Sequence, residues 1–182
     1  MIENDVHIRP LGVGDVKAFR ELRLAAMQRE PAAFGSSYEE EAACPDEFFA
    51  ARLHRNHGSV VYGAFKGAEL VGMAGMYVLD RRASLHRGTL WGVFVDAGMR
   101  AGGVGEMLVR AVIDHAAQTV IILDAKVVST NDKARRLYRR LGFLPYGTEV
   151  KSLRIGGAFY DQELLAIDFS ETRPDAAAAL RP

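Results

Sequence analysis

The sequence is poor in cysteine and contains no long hydrophobic run. Cys44 is the one cysteine among 182 residues, so no intrachain disulfide can form and a reducing, cytoplasmic environment is predicted. No apolar stretch approaches the roughly 18 residues that a membrane-spanning helix needs. The first residues, MIENDVHIRP, lack the basic segment followed by an apolar one that marks a secretory signal. We therefore expect no membrane contact.

Neither sign of charge is in excess, and no metal-binding pattern is present. Lys plus Arg and Asp plus Glu each number 23, which gives a formal net charge of zero. That balance offers no general attraction to nucleic acid or to an anionic membrane. His54 and His57 are three apart on a predicted helix, but no Cys or His cluster accompanies them, so no metal site is predicted. Any ligand must be recognised by a local site.

The hydrophobic pattern predicts one α/β domain over residues 1–169, followed by a flexible tail over 170–182. Residues 31–44 are predicted to form a loop or a broken helix. Hairpins mixed with strand–helix–strand crossovers favour a mixed sheet of about seven strands flanked by about four helices. The predicted strands are Val6–Leu11, Ser59–Phe65, Glu69–Leu79, Leu90–Val95, Val120–Val128, Phe143–Arg154 and Ala158–Phe169. The predicted helices run from Val16 to before Pro31, from Pro45 to Gly58 with Phe48, Phe49, Leu53 and His57 on a buried stripe, from Gly105 to about Gln118, and from Asn131 to Leu141.

A glycine-rich turn follows the fourth predicted strand, in the segment LWGVFVDAGMRAGGVG from Leu90 to Gly105. Glycines allow backbone to approach a ligand closely, and the free N–H groups at a helix start favour phosphate. No Gly-Lys-Ser/Thr follows, so the turn is not a P-loop. Leu108 stands where a dinucleotide fingerprint needs its third glycine. The turn predicts an anion site of another kind.

A second pattern begins at Asn131, in the segment NDKARRLYRRLGF. Asn131 and Tyr138 are seven residues apart, or two helical turns, so they lie nearly on one helix face. An amide and a phenol on one face suit a long polar ligand with a reactive end.

Together the two segments resemble the GNAT superfamily of N-acetyltransferases, and the resemblance extends from about Val6 to Phe169. It implies acetyl-CoA as co-substrate and a small-molecule or peptide amine as acceptor, with a possible homodimer. It implies that the backbone of Val93, Phe94 and Val95 pairs with the pantetheine arm, and that Asn131 and Tyr138 also contact the co-substrate. The pyrophosphate would lie on backbone N–H groups of a loop shaped by Arg100, with Arg136 or Arg140 near the phosphates; the loop residues are Ala101, Gly102, Gly103, Val104, Gly105 and Glu106.

The implied chemistry is direct attack of an amine on a thioester. A lysine-like amine has a pKa near 10.4 and must lose a proton before it attacks. The developing oxyanion would accept a hydrogen bond from a backbone N–H near Val93. Tyr138 is the predicted general acid for the departing thiolate, because a phenol is protonated at neutral pH.

The general base is left open by the sequence. Many members of the superfamily place a glutamate on the strand before the glycine turn, whereas this strand offers Thr89 and Trp91, with Asp96 in the turn. The remaining candidates are His86, the acidic run Glu39–Glu41, Asp124, Tyr160 and a water relay. The missing glutamate supports an alternative function, a non-catalytic acyl-CoA-binding or regulatory module. A third possibility is an enzyme that binds ATP or NAD at the glycine turn.

Overall fold

The computed structural model describes residues 6–54 and 56–171, which form a seven-stranded sheet and five helices. Most of the predicted tail, residues 172–182, lies outside the described residues. The strands are β1 Val6–Pro10, β2 Val60–Lys66, β3 Glu69–Val78, β4 Arg87–Val95, β5 Ile122–Val128, β6 Leu144–Ile155 and β7 Ala158–Asp168. The helices are α1 Val16–Arg29, α2 Tyr38–Ala42, α3 Asp46–Leu53, α4 Val104–Thr119 and α5 Asp132–Arg140.

The sheet has the order β1-β2-β3-β4-β5-β7-β6, and it is antiparallel except between β4 and β5. Hairpins join β2 to β3 and β6 to β7, whereas the chain passes from β4 to β5 through α4. The predicted mixed α/β sheet of seven strands is therefore confirmed.

Two apolar clusters lie on opposite faces of the sheet. On one face α1 and α3 pack against it, with Phe19 and Phe49 fully buried. On the other face α4 and α5 cover the sheet, with Leu108 and Tyr138 among the buried residues. Each helix turns one apolar stripe inward, which is the arrangement that burial of both sheet faces requires.

Several boundaries differ from the predicted ones. The helix predicted from Pro45 to Gly58 ends at Leu53, because the backbone of His54 is extended. His57 has a φ of +51° and its side chain pairs with Asp80 at 2.9 Å, so it is not part of the buried stripe. The strand predicted from Leu90 begins earlier, at Arg87, where pairing with β5 starts.

Two further differences lie in residues 31–44 and at the glycine turn. The segment predicted as a loop or broken helix contains the short helix α2, where Ser37 and Glu40 form a capping box. Helix α4 begins at Val104, so Gly105 lies in its first turn rather than ahead of it. The turn is supplied by a 3₁₀ segment, Ala97–Gly102, and by Gly103 at the N-cap.

No helix in residues 6–54 and 56–171 is long and apolar enough to cross a membrane. In the same residues no three His, Cys, Asp or Glu side chains group closely enough to hold a metal ion.

The two central strands separate part-way along their length. Strands β4 and β5 pair only from Arg87 to Leu90 and from Ile122 to Ala125. Beyond Leu90 the register of β4 with β3 shifts, and Gly92 has a φ of +63°. Such a bulge bends a strand, and only glycine adopts this conformation without strain. A gap therefore opens between the carboxyl ends of β4 and β5.

Candidate active site

A groove with a volume of about 1150 Å³ occupies the gap between β4 and β5. Its walls include Trp91–Val95 on β4 and Lys126–Val128 on β5. It also reaches residues from both faces of the sheet, with Arg23 on α1 and Leu137 on α5. The groove thus runs through the sheet and connects its two faces.

The β4 wall offers an unpaired strand edge. From Trp91 to Val95 the strand keeps its partner β3 on one side but has no ladder with β5 on the other. The side chains of Phe94 and Val95 are buried, whereas Val93 is half-buried and lines the groove. Backbone groups on this edge can bind an extended ligand as an added strand would.

The start of α4 forms the second wall. Gly103 has a φ of +74° and occupies the N-cap, and the next residue, Val104, is fully buried. Gly103, Gly105 and Glu106 line the groove. Unpaired N–H groups and the helix dipole at such a terminus favour an anion.

Arg100 connects the glycine turn to the strand before it. Its Nε donates a hydrogen bond of 2.9 Å to the carbonyl oxygen of Val95, and its guanidinium pairs with Glu30. These contacts support the predicted role of Arg100 in shaping the loop, which also contains Ala101 and Gly102.

Helix α5 places Asn131 and Tyr138 on the groove, as their spacing predicts. Asn131 caps the helix, since its Oδ1 accepts a 3.1 Å hydrogen bond from the N–H of Ala134. Tyr138 is 7% exposed, and its ring lies 5.5 Å from that of Phe143. Burial raises the pKa of Tyr138 above the ordinary value for a phenol, so the hydroxyl stays protonated at neutral pH.

Helix α5 also contributes cationic side chains to the groove. Lys133, Arg136 and Arg140 all line it. Arg140 Nη2 lies 3.1 Å from an oxygen of Glu106, whereas Lys133 and Arg136 have no carboxylate partner among the residues described. Two unpaired cations beside a helix N-terminus are a suitable environment for phosphate groups.

Most of the candidate bases lie away from the groove. Tyr160 is the one that lines it. Asp96 pairs with Arg29 at 2.8 Å, and Asp124 pairs with Arg87 at 2.6 Å. The other candidates are also outside the lining: His86 directly before β4, Glu39 and Glu40 exposed on α2, and Glu41 buried against Arg23.

The family resemblance implies that the loops around Pro31 to Pro45 and the last hairpin select the acceptor, but no sequence pattern singled out Arg23 or Tyr77 on the wall of the groove that faces α1. Arg23, Phe34 and Tyr77 line it there, and Glu149 and Gln162 line it from the last hairpin. These residues come from distant parts of the chain, and no local pattern joins them. Arg23 and its partner Glu41 are 18 positions apart and lie on different helices, so a helical pattern in the sequence does not indicate that they pair.

The sequence is similar to those of known acetyltransferases. Residues 18–143 match the model of the Acetyltransferase (GNAT) family. The N-alpha-acetyltransferase RimI of Mycobacterium tuberculosis is 32% identical over 114 residues, which are 63% of this chain and 70% of that protein. The chain belongs to the GNAT family of acetyltransferases. It is an acetyl-CoA-dependent N-acetyltransferase.

Solved structures share the fold of this acetyltransferase. The structure of yncA from Salmonella typhimurium, solved with its cofactor acetyl-CoA, matches with a TM-score of 0.76 at 19% identity, covering 92% of this chain and 96% of that one. The ribosomal-protein-alanine N-acetyltransferase of Brucella melitensis matches with a TM-score of 0.73 at 22% identity, covering 89% and 99%.

The groove of this acetyltransferase fits acetyl-CoA by its chemistry. An unpaired strand edge suits an arm with two amide groups, and the cationic end at α4 and α5 suits phosphates.

Proposed function

We propose that the enzyme transfers the acetyl group of acetyl-CoA directly to a primary α-amine while both substrates are bound in the groove. The observation that supports this most is the continuity of the groove from the α4 and α5 side to the α1 side. Two substrates that enter from opposite faces meet without a covalent enzyme intermediate. The name of the relative RimI, an N-alpha-acetyltransferase, supports an α-amine as acceptor.

The proposed acetyl-CoA site uses backbone groups more than side chains. The edge Val93–Val95 pairs with the pantetheine arm, and Asn131 contributes its amide. The turn from Ala101 to Glu106 holds the pyrophosphate, with Arg136 and Arg140 close to the phosphates. The lining of the groove by Gly103, Gly105 and Asn131 supports this assignment.

In the proposed mechanism a backbone group of β4 stabilises the transition state, and a side chain of α5 protonates the leaving group. The backbone N–H near Val93 donates a hydrogen bond to the carbonyl oxygen as negative charge develops there. The amine forms the new C–N bond, the C–S bond breaks, and the Tyr138 hydroxyl donates a proton to the departing sulfur. A raised pKa keeps that proton in place until the thiolate forms.

The amine proton leaves through water or Tyr160 in this proposal. The groove-lining carboxylates among the described residues, Glu30, Glu106 and Glu149, all have cationic partners. A terminal α-amine has a pKa of about 8 against about 10.4 for a lysine side chain. Without a strong base, an α-amine is therefore the more reactive acceptor.

Tyr138→Phe tests the general acid. The phenyl ring keeps the packing against Phe143, and only the proton donor is lost. We expect kcat to fall by about 100-fold or more, with the KM for acetyl-CoA changed little. The rate of thiol release with a good acceptor measures both kcat and the KM for acetyl-CoA. Tyr146→Phe is the matched control, because Tyr146 is an exposed β6 residue outside the groove. An unchanged kcat in Tyr138→Phe would rule out the assigned role.

The alternative is an acyl-CoA-binding module without turnover, and the absence of a free carboxylate in the described groove lining motivates it. Calorimetry with acetyl-CoA and a transfer assay across a broad amine panel separate the two. Tight binding with no transfer to any amine would establish the alternative. We further propose a cytoplasmic location, which the single cysteine supports, and the predicted homodimer is tested by the mass of the protein in solution.

A further inference from the structure

A buried cluster of charged side chains lies on the α1 side of the groove. Arg23 and Glu41 form a bidentate pair, with both nitrogen–oxygen distances at 2.6 Å. Arg52 Nη2 lies 3.2 Å from the same carboxylate, and the Ser36 hydroxyl donates to it at 2.6 Å. The guanidinium carbons of Arg23 and Arg52 stand 5.2 and 5.5 Å from the Trp91 ring.

This cluster has more hydrogen-bond donors than acceptors. Among the described residues, four buried side-chain nitrogens have no hydrogen-bond partner, and three of them belong to the cluster. They are Arg23 Nη1, Arg52 Nε and Trp91 Nε1. A buried donor without a partner is costly, so a site with several such donors is suited to an acceptor group from a ligand.

The unpaired nitrogen of Arg23 lies at the bulge of β4. Arg23 is 3% exposed and lines the groove together with Phe34 and Trp91. A Cβ placed on Gly92 would lie 3.6 Å from Arg23 Nη1. The donor is therefore next to Val93, where the thioester carbonyl is proposed to lie.

The cluster also carries uncompensated positive charge. Two guanidinium groups share the single carboxylate of Glu41, which leaves one net positive charge. Burial and the neighbouring charge of Arg23 lower the pKa of Arg52, the direction expected for cations that lack enough counter-charge. The nearby Arg20 is occupied by the Ala42 carbonyl and by Asp46. A neutral carbonyl would supply an acceptor but would leave the charge uncompensated, whereas a carboxylate supplies both.

We propose that Arg23 binds a carboxylate of the acceptor, so that the acceptor is a small α-amino acid rather than the amino terminus of a protein. The inference rests on the proposed function and specifies its substrate class. One carbon separates the amine from the carboxylate in such a molecule, which matches the position of Arg23 beside the reacting strand. The pair also neutralises the carboxylate, which otherwise stabilises the ammonium form of the same molecule and hinders attack.

The first test compares acceptors that differ only in that group. Each L-amino acid is assayed against its own carboxamide and against a short peptide that begins with the same residue. We expect kcat/KM for the best free amino acid to exceed that for its carboxamide by about 10- to 100-fold, because a charge-assisted bond is lost. Equal or higher kcat/KM for carboxamides or peptides would overturn the inference and leave the acetyltransferase proposal intact.

The second test removes the donor without leaving Glu41 buried and unpaired. The double variant Arg23→Gln with Glu41→Gln replaces the ion pair by two amides. We expect the preference for the free acid to fall at least 10-fold, with the KM for acetyl-CoA unchanged. Arg20→Gln is the matched control on the same helix, outside the groove lining, and it keeps the preference. A double variant that folds and retains the full preference would contradict the inference.

Binding without chemistry separates this inference from the proposed function. Isocaproate, the analogue of leucine without its amine, is titrated into the protein saturated with CoA while the melting temperature is followed. We expect stabilisation of the wild-type protein and of Arg20→Gln, and none of the double variant. That result together with no transfer to any amine would sink the proposed function but keep the anion site. Stabilisation of neither the wild type nor the control would overturn the inference.

Discussion

At the scale of single residues, burial gives consecutive glutamates different roles. Glu39, Glu40 and Glu41 are consecutive, and in sequence they form one acidic run. In the structure Glu41 is 1% exposed and paired with two arginines, whereas its two neighbours are exposed. Glu41 therefore holds Arg23 in place, and the structure gives Glu39 no such contact.

The pKa of Glu41 predicts how this pair responds to acid. Burial alone would raise the pKa of Glu41. Hydrogen bonds from Arg23 and Ser36, together with the charges of the two arginines, hold this pKa below the ordinary value of 4.5. A depressed folded pKa stabilises the protein above the unfolded value, and that stabilisation is lost as pH falls through the folded one.

We expect Glu41→Gln to lower the free energy of unfolding by about 3 kcal/mol at neutral pH, because Arg23 loses its buried partner. The difference from wild type stays constant down to about pH 5 and shrinks below it, since Glu41 then takes up a proton in the unfolded chain while it stays ionised in the folded one. Urea unfolding across pH measures both, and Glu39→Gln is the exposed control. A difference that does not shrink in acid would contradict the assigned ionisation.

At the scale of elements, the bulge in β4 creates the site. Gly92 has a φ of +63°, and the ladder to β5 ends two residues earlier, at Leu90. Its conformation is available to glycine at little cost and to alanine only under strain.

We therefore expect Gly92→Ala to destabilise the fold by about 1–2 kcal/mol through backbone strain. The added methyl group has room, since its nearest neighbour would be Arg23 Nη1 at 3.6 Å. The midpoint of urea unfolding measures the effect. Gly14→Ala is the control, because its Cβ meets nothing within 4 Å and its φ is not positive. Equal midpoints for the two variants would show that the bulge is not strained by a side chain.

The elements themselves were largely predictable from sequence, and their ends less so. Alternating and helical patterns locate all seven strands, and the last helix begins where it was predicted, with Asn131 as its N-cap. The pattern fails at His57, where φ is positive and the chain has already left the helix. It also cannot show that β4 and β5 separate, because register between distant strands leaves no local signal.

The candidate site also has parts that the sequence indicates and parts that it does not. Its glycine turn and the Asn131–Tyr138 helix are local motifs, so the sequence indicates them. The wall formed by Arg23, Phe34 and Tyr77 depends on tertiary packing, so no spacing in the chain reveals it. Sequence reasoning left open the identity of the acceptor amine and the general base.

At the scale of the whole molecule, one ligand in the groove would connect both halves of the sheet. The half formed by β1 to β4 meets the half formed by β5 to β7 through four residue pairs. A pantetheine arm bound on β4 adds contacts across that boundary and binds only the folded state.

Acetyl-CoA at 100 times its Kd should therefore add about 2.7 kcal/mol to the free energy of unfolding. For a domain of this size we expect the melting temperature to rise by roughly 5–10 °C. Differential scanning fluorimetry with acetyl-CoA, ATP and NAD measures it. Stabilisation by ATP or NAD and not by acetyl-CoA would instead support a nucleotide-binding enzyme at the glycine turn.

The short ladder between β4 and β5 also orders the events of folding. Strands β2, β3 and β4 follow one another in the chain and pair antiparallel, and β6 and β7 form a hairpin, so each half of the sheet contains a group of local contacts. The parallel ladder has to wait for the crossover through α4, whose loop closure costs entropy that four residue pairs repay only weakly. We expect the antiparallel strands β2–β4 and the β6–β7 hairpin to form before the parallel pairing of β4 with β5. The gap in which we propose that the substrates meet thus lies beside a pairing that forms after the local strand contacts.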